Sequence, residues 1–173
     1  MYQQLELPLP TRPGANVILA LEPFAKALPE MLVLGRSHFV EVDGQVLDNR
    51  RPFDPDVAVM EQLNRVGTFR VFSARLADKM IGYCTWNISY DLESRGLVIA
   101  QQGAFYMVPG HGRASFRLFK FSLEGLRNLG VKLAFPHHRL NGRATWRLGD
   151  WYQRLGASPE QVSYRLWLED LHA

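Results

Sequence analysis

Val108-Pro109-Gly110-His111-Gly112-Arg113-Ala114-Ser115 closes an extended run from Leu97 to Val108 and leads straight into a helical pattern. In that pattern Phe116, Phe119, Leu123 and Leu126 recur at spacings of three and four. Arg117, Lys120, Glu124 and Arg127 take other positions, and Gly130 closes the helix. A strand that ends in a glycine-rich turn before a helix can bind phosphate, because free backbone N–H groups and the positive end of the helix dipole meet there. Gly110 and Gly112 permit close backbone approach, and Arg113 adds a charged donor. An ordinary strand-to-helix loop has the same outline, so the turn gains its weight from what flanks it.

Upstream, Phe69 to Arg75 and Met80 to Ile88 are β-rich runs joined by a short turn at Ala77-Asp78-Lys79, which makes a hairpin. Leu97 to Val108 is then a third antiparallel neighbour, ended by Pro109 and Gly110. Phe24 to Gly35 has helical spacing with Pro29 inside it, which predicts a broken or two-part helix. Asp54-Pro55 predicts an N-cap and first-turn proline for a helix carrying Val57, Met60 and Leu63, stopped by Gly67. Downstream come a short strand over 131–135, a helix to about Gly156 and a last strand over 162–167.

The chain has 173 residues, 47% of them apolar, enough to fill one real core, so disorder and a small crosslinked scaffold are excluded. One domain spanning 1–173 is the simplest count, with Pro8, Pro10 and Pro13 marking an extended N-terminal arm over residues 1–16. The only cysteine, Cys84, excludes an internal disulfide, and no Cys/His cluster has the spacing of a metal site. Neither a leader pattern nor an apolar run long enough to span a membrane is visible, so a soluble, unprocessed, cytoplasmic protein is expected. The net charge of +3 is too small for a nucleic-acid-coating protein, yet residues 101–173 hold 10 basic and 5 acidic side chains, which suits a bound polyanion of modest size.

With Asp78-Lys79-Met80-Ile81-Gly82-Tyr83 before the glycine turn and Trp151-Tyr152-Gln153-Arg154-Leu155-Gly156-Ala157 after it, the chain resembles the GNAT acyltransferase family over about residues 17–168. The resemblance implies an α/β (α+β) fold with a mixed, mostly antiparallel sheet flanked by helices. Arg113 stands one place later than in the family's acyl-CoA loop, and Ala114, Ser115 and Phe116 replace its usual glycines. A finer resemblance is to the GNAT-like proteins of bacteriophages, which carry a His-x-x-Glu after the first helices, as Ser37-His38-Phe39-Val40-Glu41 does here. Those proteins also tend to have an aspartate shortly before the loop, where this chain has Gly103.

What the resemblance implies for function is transfer of an acetyl group from acetyl-CoA to a primary amine of a protein or small molecule by direct attack. Tyr106, Met107 and Val108 would pair through their backbone with the pantetheine arm, and Gly110, His111, Gly112, Arg113, Ala114 and Ser115 would hold the pyrophosphate. Tyr152 takes the place of the family's acid, and a phenol, ordinarily of pKa about 10, is a sensible donor to a departing thiolate. The amine must lose a proton to a carboxylate or imidazole, for which Glu41, His38, His137 and His138 are the candidates. Each of these side chains also has a plain structural role open to it, Tyr152 as an aromatic packing a helix end beside Trp151. A homodimer is compatible with the resemblance.

Two other functions remain open on sequence. The altered glycine pattern at Ala114-Ser115-Phe116 would suit a catalytically inactive phage protein on the same scaffold, binding a host protein or virion component, with Phe116 filling the phosphate space. Nucleic-acid binding through Arg113, Arg117, Arg139, Arg143 and Arg147 is the weakest, and would show a steep dependence on salt.

Overall fold

The computed structural model describes residues 16–43, 52–138 and 146–160. The chain divides into two compact units, Met1–Pro136 and His137–Ala173. The arm expected over residues 1–16, apart from Asn16, and the last strand expected over 162–167 lie outside the described residues.

In the first unit a five-stranded sheet runs in sequence order: β1 (Val17–Glu22), β2 (Phe69–Leu76), β3 (Lys79–Tyr90), β4 (Val98–Met107) and β5 (Leu133–Phe135). Neighbours are antiparallel except β4 and β5, which are parallel, so the sheet is mixed and mostly antiparallel, flanked by helices. The β2–β3 hairpin closes through Ala77 and Asp78 at φ 47° and 66°, a left-handed pair that matches the twist of the strands it joins. Val17–Glu22 has no strand signature beyond Val-Ile, since Leu, Ala and Glu favour helices. Six register positions against β2 make it a strand.

Helix α1 (Phe24–His38) runs unbroken through Pro29, contrary to the break its sequence predicts. Pro29 withholds the N–H that would reach the Ala25 carbonyl, and both residues are exposed, so no buried polar group is left unpaired. A π-helical turn, Phe39–Asp43, follows. Helix α2 (Val57–Arg65) is capped by Asp56 rather than Asp54, the Asp56 carboxylate accepting from the Val59 N–H at 3.0 Å. Gly67 at φ 88° ends it as expected. Helix α3 (Gly112–Asn128) connects β4 to β5, the crossover that a parallel pair requires, and Gly130 at φ 86° follows its end.

Alternation along β4 sends its side chains to two cores. Phe24, Met31 and Leu34 of α1, with Val57 and Met60 of α2, pack on the face carrying Phe69, Val71, Tyr83, Tyr106 and Val108. Phe119 of α3 packs on the other face, 5.5 Å from Phe105 and 5.9 Å from Trp86 between ring centres. Phe72, Ile81 and Phe119 are fully buried, each contributing roughly 1.5–3 kcal/mol by removal from water. The polar atom that Trp86 brings inside is satisfied: its indole N–H donates to Ser122 Oγ at 3.1 Å, and that hydroxyl donates to the Phe119 carbonyl at 2.8 Å. Gly125 is needed in α3 because a Cβ there would run into the Phe72 ring.

One polar cluster ties β1, α1 and the hairpin together. Arg75 bonds Glu22 through Nε and Nη2 and Glu30 through Nη1, Ser73 donates to Glu22, and the Met80 N–H donates to Glu30 Oε2 at 2.7 Å. Burial alone would raise the Glu22 carboxyl, but hydrogen bonds from Arg75 and Ser73 and the Arg75 charge outweigh it and hold it below its ordinary value. A carboxyl lowered by folding adds stability above its unfolded value of 4.5, and that stability is lost as pH falls through the folded value. Glu22→Gln is therefore expected to lower the melting temperature at neutral pH and to flatten the acid decline below pH 4.5. An acid profile by circular dichroism identical to that of the wild type would remove this cluster as its source.

The second unit is described through His137, His138 and helix α4 (Trp146–Arg154), which Gly156 follows at φ 93°.

Candidate functional site

The ladder between β4 and β5 covers Ile99↔Leu133, Ala100↔Ala134 and Gln101↔Phe135. The next residue is Pro136, which has no N–H to donate, while β4 continues for six residues to Met107. At the same level β4 bulges, Gly103 and Ala104 together opposing the single Thr85 of β3. Thr85 Oγ1 accepts from the Ala104 N–H at 2.7 Å. A Cβ on Gly103 would sit 2.5 Å from that oxygen, so glycine is required. Beyond the bulge the Val108 N–H donates to the Ile81 carbonyl at 2.9 Å. By strand alternation the backbone groups of Tyr106 and Val108 face β3, and those of Phe105 and Met107 face the side that β5 has left. Among the described residues of this unit, β5 reaches none of them.

The free half of β4 ends at the glycine turn. Gly110 takes φ 90°, His111 occupies the N-cap without a side-chain cap bond, and the Ser115 N–H already donates to the His111 carbonyl at 3.0 Å. The helix thus leaves the N–H groups of Gly112, Arg113 and Ala114 to solvent or an anion. A Cβ at Gly112 would meet nothing within 4 Å, and Arg113 is exposed. Ala114 turns into the core and Ser115 is half-buried. Phe116 is exposed beside the Lys120 ammonium, 5.9 Å from its ring centre, so it does not lie over Gly112. The His111 ring is 1% exposed, and neither of its nitrogens is hydrogen-bonded among the described residues.

On the α1 face of the same strand the sequence motif His38-x-x-Glu41 converges on Tyr106. The Tyr106 phenol donates to Glu41 Oε1 at 2.8 Å, and the His38 ring stacks on the Tyr106 ring at 5.2 Å and 26°. The Tyr83 ring lies 6.4 Å from that of Tyr106. Burial and, behind it, the Glu41 carboxylate push the Tyr106 phenol above its ordinary value, and burial pushes Tyr83 up as well. Cys84, on the α3 face of β3, is a buried thiol that burial pushes up to about 12, which makes it inert as a nucleophile.

Tyr152 lies in the second unit, where its phenol donates to the His137 carbonyl at 3.3 Å and its ring is 6.1 Å from that of His138. Trp151 packs beside it at 5.5 Å. The candidates therefore fall into three groups: the turn 110–115 with β4, the His38–Glu41 pair on Tyr106, and Tyr152 with His137 and His138. Of the cationic set, Arg113 and Arg117 are exposed on α3, while Arg139 and Arg143 lie outside the described residues. Sequence reasoning missed the side chain of Tyr106, the one group that gathers His38 and Glu41, and it missed the hydroxyl of Thr85 under the bulge. Among the described residues no group of three His, Cys, Asp or Glu side chains is placed to hold a metal ion, and no helix is long and apolar enough to cross a membrane.

No family model and no curated protein matches this sequence. Solved structures do match it. Ribosomal-protein-alanine N-acetyltransferase from Brucella melitensis biovar Abortus is similar with a TM-score of 0.67 at 17% identity, over 88% of this chain and 98% of that one. Aminoglycoside N-acetyltransferase AAC(6')-Iy, in complex with CoA, is similar with a TM-score of 0.64 at 14% identity, over 90% and 97%. A transcriptional regulator from Bacillus halodurans is similar with a TM-score of 0.65 at 14% identity, over 88% and 100%. These identities make the likeness one of fold. The chain has the fold of the GNAT N-acetyltransferases, and that fold alone does not dictate an activity.

The raised phenols give a direct check on the site. Tyr83 and Tyr106 keep their protons in the folded state above the ordinary tyrosine value of 10, so stability present below pH 10 is lost as pH rises beyond it. In an alkaline titration followed by tyrosinate absorbance, Tyr83→Phe and Tyr106→Phe should each remove one late-ionising phenol. Loss of an early-ionising phenol instead would contradict the burial described.

Proposed function

We propose that the protein is an acyl-CoA-dependent N-acyltransferase that moves an acetyl group from acetyl-CoA to a primary amine of a protein or small molecule. The observation that carries this reading is the half-free strand β4, with an open helix N-terminus at its end and a carboxylate and an imidazole gathered on its α1 face. Coenzyme A suits these residues: its phosphates fit the amides of Gly112, Arg113 and Ala114 and the Arg113 guanidinium, and its amide arm fits the edge at Phe105 and Met107, which no strand pairs with among the described residues. When bound it supplies an acyl group activated as a thioester.

The chain's own residues do the rest. Glu41, with His38 beside it, takes the proton that the attacking amine must lose, and Tyr152 holds a phenolic proton as the acid. Donor chemistry of this kind belongs in the cytoplasm. The His38-Phe39-Val40-Glu41 pattern extends the reading to the phage-encoded GNAT-like proteins, and so to the cytoplasm of a host. The neighbours' printed acceptors, aminoglycosides and a ribosomal-protein alanine, are all amines, which supports an amine acceptor of one or the other kind here.

Calorimetric titration of acetyl-CoA and desulfo-coenzyme A tests the cofactor half. Micromolar affinity is expected, falling by about tenfold or more in Arg113→Glu, the size of a lost charge-assisted contact. Absence of binding would shift the assignment to a non-catalytic partner-binding protein on the same scaffold. In an acetyl-transfer assay over an amine panel, Glu41→Gln should lower kcat by about 10²–10⁴, the span of general base catalysis. Tyr152→Phe should lower kcat with little change in acetyl-CoA affinity, and an unaltered kcat would end its role as the acid.

A further inference from the structure

Strand β1 has an edge that the sheet leaves open: among the described residues it pairs with β2 alone. The Ile88 N–H donates to the Thr68 carbonyl, so this pair is hydrogen-bonded, and alternation along β2 turns the backbone of Val71 and Ser73 toward β1. Their partners Glu22 and Ala20 therefore bond β2, and the N–H and C=O groups of Val17, Leu19 and Leu21 point the other way. The Val17 carbonyl is correspondingly open to Arg117 Nη2, 3.5 Å away. The same alternation puts these three side chains on the α3 face. There Leu21, 45% exposed, lines a groove of about 290 Å³ with Phe72, Phe121, Glu124 and Leu129.

We propose that the chain's own segment Leu5-Glu6-Leu7-Pro8-Leu9-Pro10 docks antiparallel on this edge as a further strand, with Leu9 opposite Val17, Leu7 opposite Leu19 and Leu5 opposite Leu21. The docking is independent of the acyltransferase reading. Pro8 and Pro10 have no N–H, so a paired strand must turn that side of both away from β1. Leu5, Leu7 and Leu9, of the other parity, then offer their N–H and C=O groups to Val17, Leu19 and Leu21. Directly opposed side chains share a face, so the leucines join Leu21 at the groove, and Pro8 falls beside Ile18, which is 55% exposed. A register slipped by one residue would turn both prolines toward β1 and the leucines away from the groove, so a single parity satisfies backbone and side chains together. The outermost edge then carries prolines, which discourage further pairing. Residues 11–16 hold a Pro13-Gly14 turn pair and join the segment to β1, so no second molecule is needed.

Hydrogen exchange followed by NMR on the full chain separates a docked segment from a bare edge. Slow amides are expected at Leu7, Leu9, Leu19 and Leu21 and a fast one at Glu6, with Hα–Hα contacts between Glu6 and Ala20 and between Pro8 and Ile18. Leu7→Pro, which removes an N–H facing β1, should speed exchange at Leu19 by about tenfold or more, whereas Glu6→Pro, which alters only the outer side, should leave it unchanged. Leu5→Asp, which sets a second carboxylate near Glu124, should speed exchange at Leu21.

Fast exchange at Leu19 and Leu21 in the wild type, or equal effects of Glu6→Pro and Leu7→Pro, would overturn the docking. Protection that persists in a monomer by analytical ultracentrifugation would support it. Protection that disappears on dilution as a dimer dissociates would overturn it, because a second copy would then be supplying the strand.

Discussion

Phe135 is the last residue of β5 that can extend the ladder to β4, because the proline after it has no N–H to give. The open side of β4 follows from that stop. Beyond Gln102, among the described residues, β5 no longer reaches β4 while β3 still holds it on the other side, and the Gly103–Ala104 bulge, pinned by the Thr85 hydroxyl, turns the strand at the level where its neighbour ends. The amides of Phe105 and Met107 then face outward, Tyr106 is aimed at α1 and its π-helical extension, and the strand delivers its chain directly to the N-terminus of α3. A longer β5 would cover the amides of Phe105 and Met107.

The same strand separates two environments that do different work. On the α3 side the interior is aromatic, the Trp86 indole donating to Ser122 and the Ser122 hydroxyl in turn to the Phe119 carbonyl. On the α1 side, toward the end of β4, the interior opens to a carboxylate and an imidazole through a single phenol. The first arrangement stiffens the sheet against α3 and so fixes where the helix N-terminus points. The second leaves a charged group at the surface with its orientation set from below, which is the form of preorganisation that a binding site needs.

Local signals in the chain were legible, and long-range ones were not. The glycine turn, α3 and the hairpin declared themselves because their periodicity and punctuation lie within about twenty residues. The β1 strand did not, since Leu19, Ala20 and Leu21 suit a helix equally well and only pairing with β2 decides. Pro29 misled for a related reason: the cost of a helical proline depends on whether the carbonyl it abandons is buried, and the one at Ala25 is not. Asp56 displaced Asp54 as a cap because two acids flank one proline and only geometry chooses between them. At the site, His38 and Glu41 were visible as a motif, yet their meeting at Tyr106 spans more than sixty residues and no local pattern announces it. Tyr152 came from family likeness and His138 from its place just after the strand ending at Phe135-Pro136, and their ring contact within the second unit is a fact of the fold alone.

The turn at Ala77-Asp78 carries a consequence for how the chain finds this arrangement. Neither residue is glycine, and holding an alanine in the left-handed region costs about 1–2 kcal/mol. A hairpin seeded at its bend would carry Asn-Gly there. Here the bend is the costly part, and the clasp of Arg75 on Glu22 and Glu30 lies just beside it, so β1 and α1 add support where the turn itself costs free energy. The hairpin, though nearest in sequence, thus leans on side chains from β1 and α1 as well as on its own turn.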